Sequence, residues 1–281
     1  MKQPLHAATL DEPWAAHARN WSRLGAPLRP NAEDVKRLHA AWTHSLEPAI
    51  LSSRKIDVLI LGVTPELVSH RWAPKFQLCA VDASEAMIKE VWPGDTDGRK
   101  AFCGSWLNAP FVDNSFDLIV SDCGLTPLAA PGQVAAFGKE LRRLIRNEGR
   151  IVMRHFAPPA HPIRVEQLVQ LAESGALRNF HELKLRFLLA LSATRPAVHL
   201  GDAWERFNRH FPDRGKLAER LDCPLETIST IDAYRNRDTR YAFPTLPELA
   251  RQFRDFSLGS GPAATYPLGE CCPVISLTPN P

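Results

Sequence analysis

Lys55-Ile-Asp-Val-Leu-Ile-Leu-Gly-Val-Thr-Pro-Glu66 reads as one strand followed by one tight turn. Ile56–Leu61 is a short, continuous apolar run, as expected of a parallel strand buried on both faces. Gly62 closes it, where a residue without a side chain lets a ligand approach the backbone. Thr64, Pro65 and Glu66 then suit the N-cap, first position and first turn of a helix. The pattern recurs downstream. Leu78–Val81 is a second strand, ending at Asp82, with Ser84 or Asp82 starting a helix over Glu85–Val91. Lys100–Cys103 and Phe116–Ser121 are a third and a fourth strand, the latter preceded by a turn at Asp113-Asn-Ser. Gln133–Ile145 is an amphipathic helix, Asn147-Glu-Gly a turn and Arg150–His155 a fifth strand. Strands alternating with helices in this way predict an α/β fold with a parallel sheet.

The pattern changes on either side of this block. Upstream, Trp14, Ala18 and Trp21 recur at helical spacing beside His17, and Pro27 and Pro30 end that run. A second helix is expected after Asn31, capped by it, with Val35, Leu38, His39 and Trp42 as its apolar stripe. The stripe either packs on the sheet or belongs to a lid. Downstream, residues 163–243 read as helices without a convincing strand, and their Phe187, Trp204, Phe207, Phe211 and Tyr234 argue for a packed unit. Thr245 caps a further helix, and Phe256–Leu258 and Pro273–Leu277 are the last two strands. The expected organisation is an N-terminal helical lid (1–50), a core (51–160 and 244–281) and a helical cap or insertion (161–243).

Composition excludes several classes. The 281 residues are 44% hydrophobic and 23% charged, which supports a packed core. A net charge of +3 gives no reason to expect nucleic acid or a membrane surface as partner. No run of about 18 apolar residues occurs, so no membrane span is expected. The first residues lack a long apolar stretch of signal-peptide type. The six cysteines include no CxxC pair, so no metal site is expected. Cys79 and Cys103 read as buried strand residues, Cys271-Cys272 as a strand start, and the whole as a protein of the reducing cytoplasm. GxSxG, P-loop, HExxH and GxGxxG patterns are missing.

In open parallel sheets, ligands sit outside the carboxyl ends of the strands where the strand order reverses. Asp82 lies 20 residues after Gly62. A carboxylate there either caps the next helix or accepts two hydrogen bonds from a ribose diol. The pairing with Gly62 favours the ribose.

The segment from about 55 to 155 resembles the class I S-adenosylmethionine-dependent methyltransferases. The matching stretches are Val58-Leu-Ile-Leu-Gly62, Val81-Asp-Ala-Ser-Glu-Ala-Met87, Gly104-Ser-Trp-Leu-Asn-Ala-Pro-Phe-Val-Asp-Asn-Ser-Phe-Asp-Leu-Ile-Val120 and Leu141-Arg-Arg-Leu-Ile-Arg-Asn-Glu-Gly-Arg-Ile151. The resemblance implies a Rossmann-like sheet of seven strands, the last one antiparallel, and S-adenosyl-L-methionine as cofactor. It implies that Gly62 and its turn, with Thr64, approach the cofactor's methionine part. Asp82 and Ala83 then sit at the ribose, Met87 packs on the adenine, and Ser105 and the Trp106 backbone serve its nitrogens. Asp122 stands beside the sulfonium. The chain departs from the family in having one glycine in the first loop and Ile60 where an acid is usual. Glu66 therefore either suits the helix dipole or meets the cofactor's ammonium group. Trp14, Trp21 and Arg29 become lid or substrate candidates, with Arg29 either solvated or paired with the cofactor carboxylate.

Methyl transfer needs alignment of nucleophile, methyl carbon and sulfur, and a base only when the nucleophile keeps a proton of high pKa. Asp122, His155 and His161 are the base candidates. The leading expectation is a cytoplasmic methyltransferase acting on a small molecule, with a homodimer left open. Two alternatives stand beside it. One is an enzyme that uses the same cofactor but cyclises or transfers its aminobutyl arm, to an azetidine-type product and methylthioadenosine. The other is a silent binding or scaffold subunit.

Overall fold

In the computed structural model, residues 11–43, 55–70, 72 and 75–281 are described. Much of the expected lid segment, 1–10 and 44–50, therefore lies outside the described residues. The strands in chain order are β1 (Ile56–Leu61), β2 (Phe76–Asp82), β3 (Arg99–Cys103), β4 (Phe116–Asp122), β5 (Ile145–Arg154), β6 (Val198–His199), β7 (Arg240–Tyr241), β8 (Phe256–Ser260) and β9 (Val274–Pro279). Seven of them form one sheet in the order β3-β2-β1-β4-β5-β9-β8. β1 to β5 run parallel, and β9 lies antiparallel between β5 and β8. The arrangement is the expected Rossmann-like sheet of seven strands, with the final strand reversed.

Helices α1 (Asp11–Arg19), α2 (Ala32–Thr43), α3 (Pro65–Val68), α4 (Glu85–Val91) and α5 (Gln133–Leu144) come from the first half of the chain. The period of two along each strand sorts the core onto two faces. Val58, Ile60, Leu118, Val120 and Val152 face Leu38, Trp42, Leu67 and Met87. Their neighbours Leu59, Leu61, Ile119, Ile151 and Met153 face Val134, Phe137, Leu141 and Phe253. Asn31 caps α2 as expected, its Oδ1 accepting from Asp34 N at 2.9 Å. Leu38 and Trp42 of the α2 stripe are buried, whereas His39 is exposed.

Between β5 and the last helix, α11 (Leu246–Gln252), stand α6 (Val165–Glu173), α7 (Phe180–Ser192), α8 (Leu200–His210), α9 (Arg214–Arg220), α10 (Leu225–Ile228) and a 3-10 turn over Ser229–Tyr234. They surround a core of their own built on Phe180, Phe187, Leu188, Phe207 and Ile231. α1 packs on α4 on one side and on the 3-10 turn on the other, so it bridges the sheet and the helical segment. No helix among the described residues is long and apolar enough to cross a membrane.

Four local expectations are corrected. Asn147-Glu-Gly is not a separate turn but part of β5, absorbed by a register shift opposite Phe116 and Leu118. Residues 163–243 do contain strand, the two-residue pair β6–β7. Cys271 belongs to a 3-10 turn before β9 rather than to the strand. Cys103 is exposed, because β3 is the sheet edge.

Candidate active site

Strand order reverses between β1 and β4, and the turns after β1, β2, β3 and β4 meet there around a cavity of about 220 Å³. Gly62, Thr64, Asp82, Ala83, Met87, Ser105, Trp106 and Asp122 all line it, together with Trp14 and Trp21 from the N-terminal segment. The sequence reading and the cavity thus bring together residues from five separated stretches of chain.

Gly62 adopts φ +94°, a conformation that residues with a side chain rarely adopt. Its N–H donates to Val81 O at 2.8 Å, and the Trp106 indole Nε1 donates to the same oxygen at 2.8 Å. A Cβ on Gly62 would meet Trp106 Cζ2 at 3.7 Å and Asp82 Oδ2 at 3.9 Å, both ordinary contacts. Backbone strain, more than space, requires the glycine. Gly62→Val is expected to lower folding stability by about 1–3 kcal/mol, the usual cost of a strained backbone residue. A thermal midpoint equal to that of the parent would contradict this. The turn after β4 is tighter, because a Cβ on Gly124 would stand 2.5 Å from Ser121 Oγ and 3.2 Å from Trp106 Cζ3.

The two capping alternatives at β2 separate cleanly. Ser84 is the N-cap of α4, its Oγ accepting from Met87 N at 3.2 Å. Asp82 Oδ1 accepts from Ser84 N at 2.8 Å and so fixes the turn while the residue lines the cavity. Ser105 is exposed, and its Oγ accepts from Leu107 N at 3.2 Å.

Asp122 is gripped by Arg154, which donates from Nε to Oδ1 at 2.5 Å and from Nη2 to Oδ2 at 3.2 Å. The same guanidinium donates to Pro27 O at 2.9 Å and to Asp34 Oδ2 at 3.1 Å. Burial opposes the Arg154 charge most strongly of any single cause, but Asp122, Cys123 and Asp34 together hold the arginine pKa well above its ordinary value. Arg154 thereby ties the N-terminal segment to the ends of β4 and β5 beside the cavity. Both Asp122 oxygens are spoken for, which speaks against free-base duty.

Four expectations are corrected by position. His155 does not line the cavity. It is fully buried, and its Nε2 lies 2.7 Å from Pro244 O. Burial lowers its pKa to about 4 despite that bond. His161 is exposed, outside the cavity. Glu66 and Arg29 also lie outside it and pair with each other, Nη2 to Oε1 at 2.5 Å and Nε to Oε1 at 2.8 Å. Arg29 further stacks 5.0 Å from the Trp21 ring centroid and donates to Trp21 O at 2.9 Å. The pair sets the position of Trp21 rather than holding either end of an amino acid.

The cavity also holds residues that the sequence did not single out for chemistry: Lys184, Tyr234, Tyr241 and His17. One signal was available for Lys184. It shares a helix face with Phe180, Phe187 and Leu188 at spacings of four, three and four, a place where a lysine is unusual. His17 is buried, and its pKa falls to about 3 through burial, with Lys184 and Arg237 adding to the effect. His181 is lowered to about 4, again chiefly by burial. The unfolded chain takes up these histidine protons near pH 6.5, the folded one only near pH 3 to 4. Unfolding is therefore favoured as pH drops from 6.5 towards 4. A thermal midpoint that falls steeply over that range is the expected result. A flat profile would contradict the burial of these rings.

Three buried polar atoms of the lining lack a hydrogen-bond partner among the described residues: His17 Nε2, Trp21 Nε1 and Thr126 Oγ1. Buried polar groups are seldom left so, and a polar ligand in the cavity would supply what they lack. Among the described residues no group of His, Cys, Asp and Glu is arranged to hold a metal.

Residues 59–153 match the profile of a methyltransferase-domain family. The match covers about a third of the chain, from β1 to β5 of the sheet. No curated protein matches the chain. Among solved structures, a Rhodobacter sphaeroides protein described as a zinc-dependent alcohol dehydrogenase shares 12% identity over 97% of this chain and 99% of its own, with a TM-score of 0.55. This is likeness of fold alone. A Methanococcus maripaludis protein described as an S-adenosylmethionine-dependent methyltransferase shares 16% identity over 100% of this chain and 97% of its own, with a TM-score of 0.45. A DhpI–SAH complex shares 14% over 95% and 94%, with a TM-score of 0.47. The last two superpose too loosely to carry an argument.

Proposed function

We propose that this chain is an S-adenosylmethionine-dependent methyltransferase whose acceptor is a small molecule. The observation that supports it most is the convergence of Gly62, Asp82, Met87, Trp106 and Asp122 on one cavity at the switch point of a methyltransferase-type sheet. In this reading Asp82 accepts from the ribose hydroxyls, Met87 packs on the adenine, and the Gly62–Thr64 turn holds the methionine part. The bound cofactor supplies an activated methyl group. The chain's own part is to align the acceptor, exclude water and keep charges fixed. Asp122, locked by Arg154, acts as a fixed negative charge rather than as a base. The N-terminal segment acts as a lid and residues 161–243 as the acceptor-side cap, since α1 bridges the two over the cavity.

A small acceptor fits the aromatic walls made by Trp14, Phe156, Tyr234 and Tyr241. Nothing observed favours ring closure of the cofactor or a silent subunit. The test is incubation with S-adenosylmethionine carrying a labelled methyl group, together with fractionated cell extract. Label should enter the low-molecular-weight fraction. Label confined to protein would contradict a small acceptor.

A further inference from the structure

The helical segment contributes one feature to the cavity that the methyltransferase fold does not require. Lys184 lies on α7 between Leu183 and Leu185 and is 1% exposed. Its Nζ donates to Thr230 O at 3.3 Å and sits 4.3 Å from the centroid of the Tyr234 ring. An ammonium has three N–H donors, and here one carbonyl and one π face answer them. No carboxylate forms an ion pair with Lys184 among the described residues. Asp232, the acid that acts on it from a distance, is already engaged by Arg214 at 2.7 Å and by Trp204 Nε1 at 2.7 Å.

The other groups facing Lys184 supply no negative charge. His17 lines the same cavity with its Nε2 unpartnered, and Arg237 acts on it as a further cation. Tyr234 and Tyr241 are held neutral by burial, which raises both phenols. A buried charge without a counter-ion is costly, and burial accordingly pushes the Lys184 pKa down to about 7, against the weaker pull of Asp232. What this wall of the cavity lacks is an anion. A carboxylate brings two acceptor oxygens, one for Lys184 Nζ and one for His17 Nε2 when that nitrogen carries its proton.

We infer that the acceptor is a small carboxylic acid with a flat apolar body, its carboxylate paired with Lys184 and its body against Tyr234, Tyr241 and Phe156. Lys184 is here a specificity-determining residue, and the inference rests on the methyltransferase reading of the cavity. It adds the chemical class that the helical cap selects.

The test uses the full chain and three probe pairs: benzoate with benzamide, 4-hydroxybenzoate with 4-hydroxybenzamide, and cinnamate with cinnamamide. Each is titrated by calorimetry with S-adenosylhomocysteine present. Binding of S-adenosylhomocysteine is measured first and separately, so that its failure counts against the methyltransferase reading and not against acid selection. At least one acid should bind about tenfold or more tighter than its amide, the range for a hydrogen bond to a charged group. In Lys184→Met the preference should vanish, with the affinity for S-adenosylhomocysteine unchanged. Lys184→Gln, which keeps a polar head, serves as the second variant and should lose the preference likewise.

At pH 8, acid binding to the parent should take up protons, measured as the dependence of binding heat on buffer ionisation, and the variants should not. A merely structural lysine would leave both readouts unmoved. Amides binding as tightly as every acid, or an acid preference that survives in both variants, would overturn the inference.

Discussion

Asp82→Ala is expected to weaken S-adenosylmethionine binding by roughly 2–4 kcal/mol, the loss of one or two charge-assisted hydrogen bonds. That is about 30- to 700-fold in affinity at 1.4 kcal/mol per decade. The reason is positional. Asp82 ends β2, lines the cavity and points Oδ2 to within 3.9 Å of where a Gly62 side chain would begin. Its other oxygen holds Ser84 N, so alanine also loosens the turn by about 1 kcal/mol. Asp82→Asn separates the two effects. Its amide oxygen still accepts from Ser84, while the charge facing the diol is gone. The asparagine variant should therefore melt near the parent yet bind the cofactor more weakly. Calorimetric affinities of alanine and asparagine variants equal to that of the parent would refute the ribose assignment.

Arg154→Met is expected to cost the fold more than any other single change considered. The guanidinium is fully buried and joins Asp122, Asp34 and the Pro27 carbonyl. Tyr266, in the loop between β8 and β9, also donates to Asp34 Oδ1 at 2.7 Å, so a second link to α2 depends on the same carboxylate. Removing one partner from a buried ion pair leaves an uncompensated charge and costs about 3–5 kcal/mol. At about 2–4 °C per kcal/mol for large domains, the midpoint should fall by about 10 °C. Cofactor affinity should fall too, because this side chain ties Pro27 and Asp34 of the N-terminal segment, which also carries Trp14 and Trp21 of the lining, to Asp122 at the end of β4. Arg154→Lys keeps the charge but not the planar fork, and should lie between. An unchanged midpoint in Arg154→Met would show that the pairing contributes little.

The sheet, and the lining that the ends of β1 and β2 give the cavity, were legible because they obey local rules. The run Ile56–Leu61 ended by glycine, the helix Glu85–Val91 and the acid at the tip of β2 each report their role within a few residues of chain. Asn147–Gly149 misled because a polar triplet beside a glycine has turn chemistry, while the register shift that keeps it in β5 is a property of the neighbouring strand. His155 follows a strand end in sequence, yet tertiary packing turns it onto Pro244 and away from the cavity. Glu66 and Arg29 are 37 residues apart, and no local pattern announces that they meet. The Arg154 link to Asp34 spans 120 residues and is equally silent. Lys184, His17, Tyr234 and Tyr241 come from segments that read as generic helix. Only the fold brings them to one wall.

The central claim is that the cavity at the β1–β4 switch point is the S-adenosylmethionine site. Its most direct test is a calorimetric titration of S-adenosylmethionine into the full chain and into Asp82→Ala under identical conditions. The account predicts saturable binding at one site per chain, weakened at least 30-fold in the variant. Absence of binding to the parent, or equal affinity in the two proteins, would contradict it.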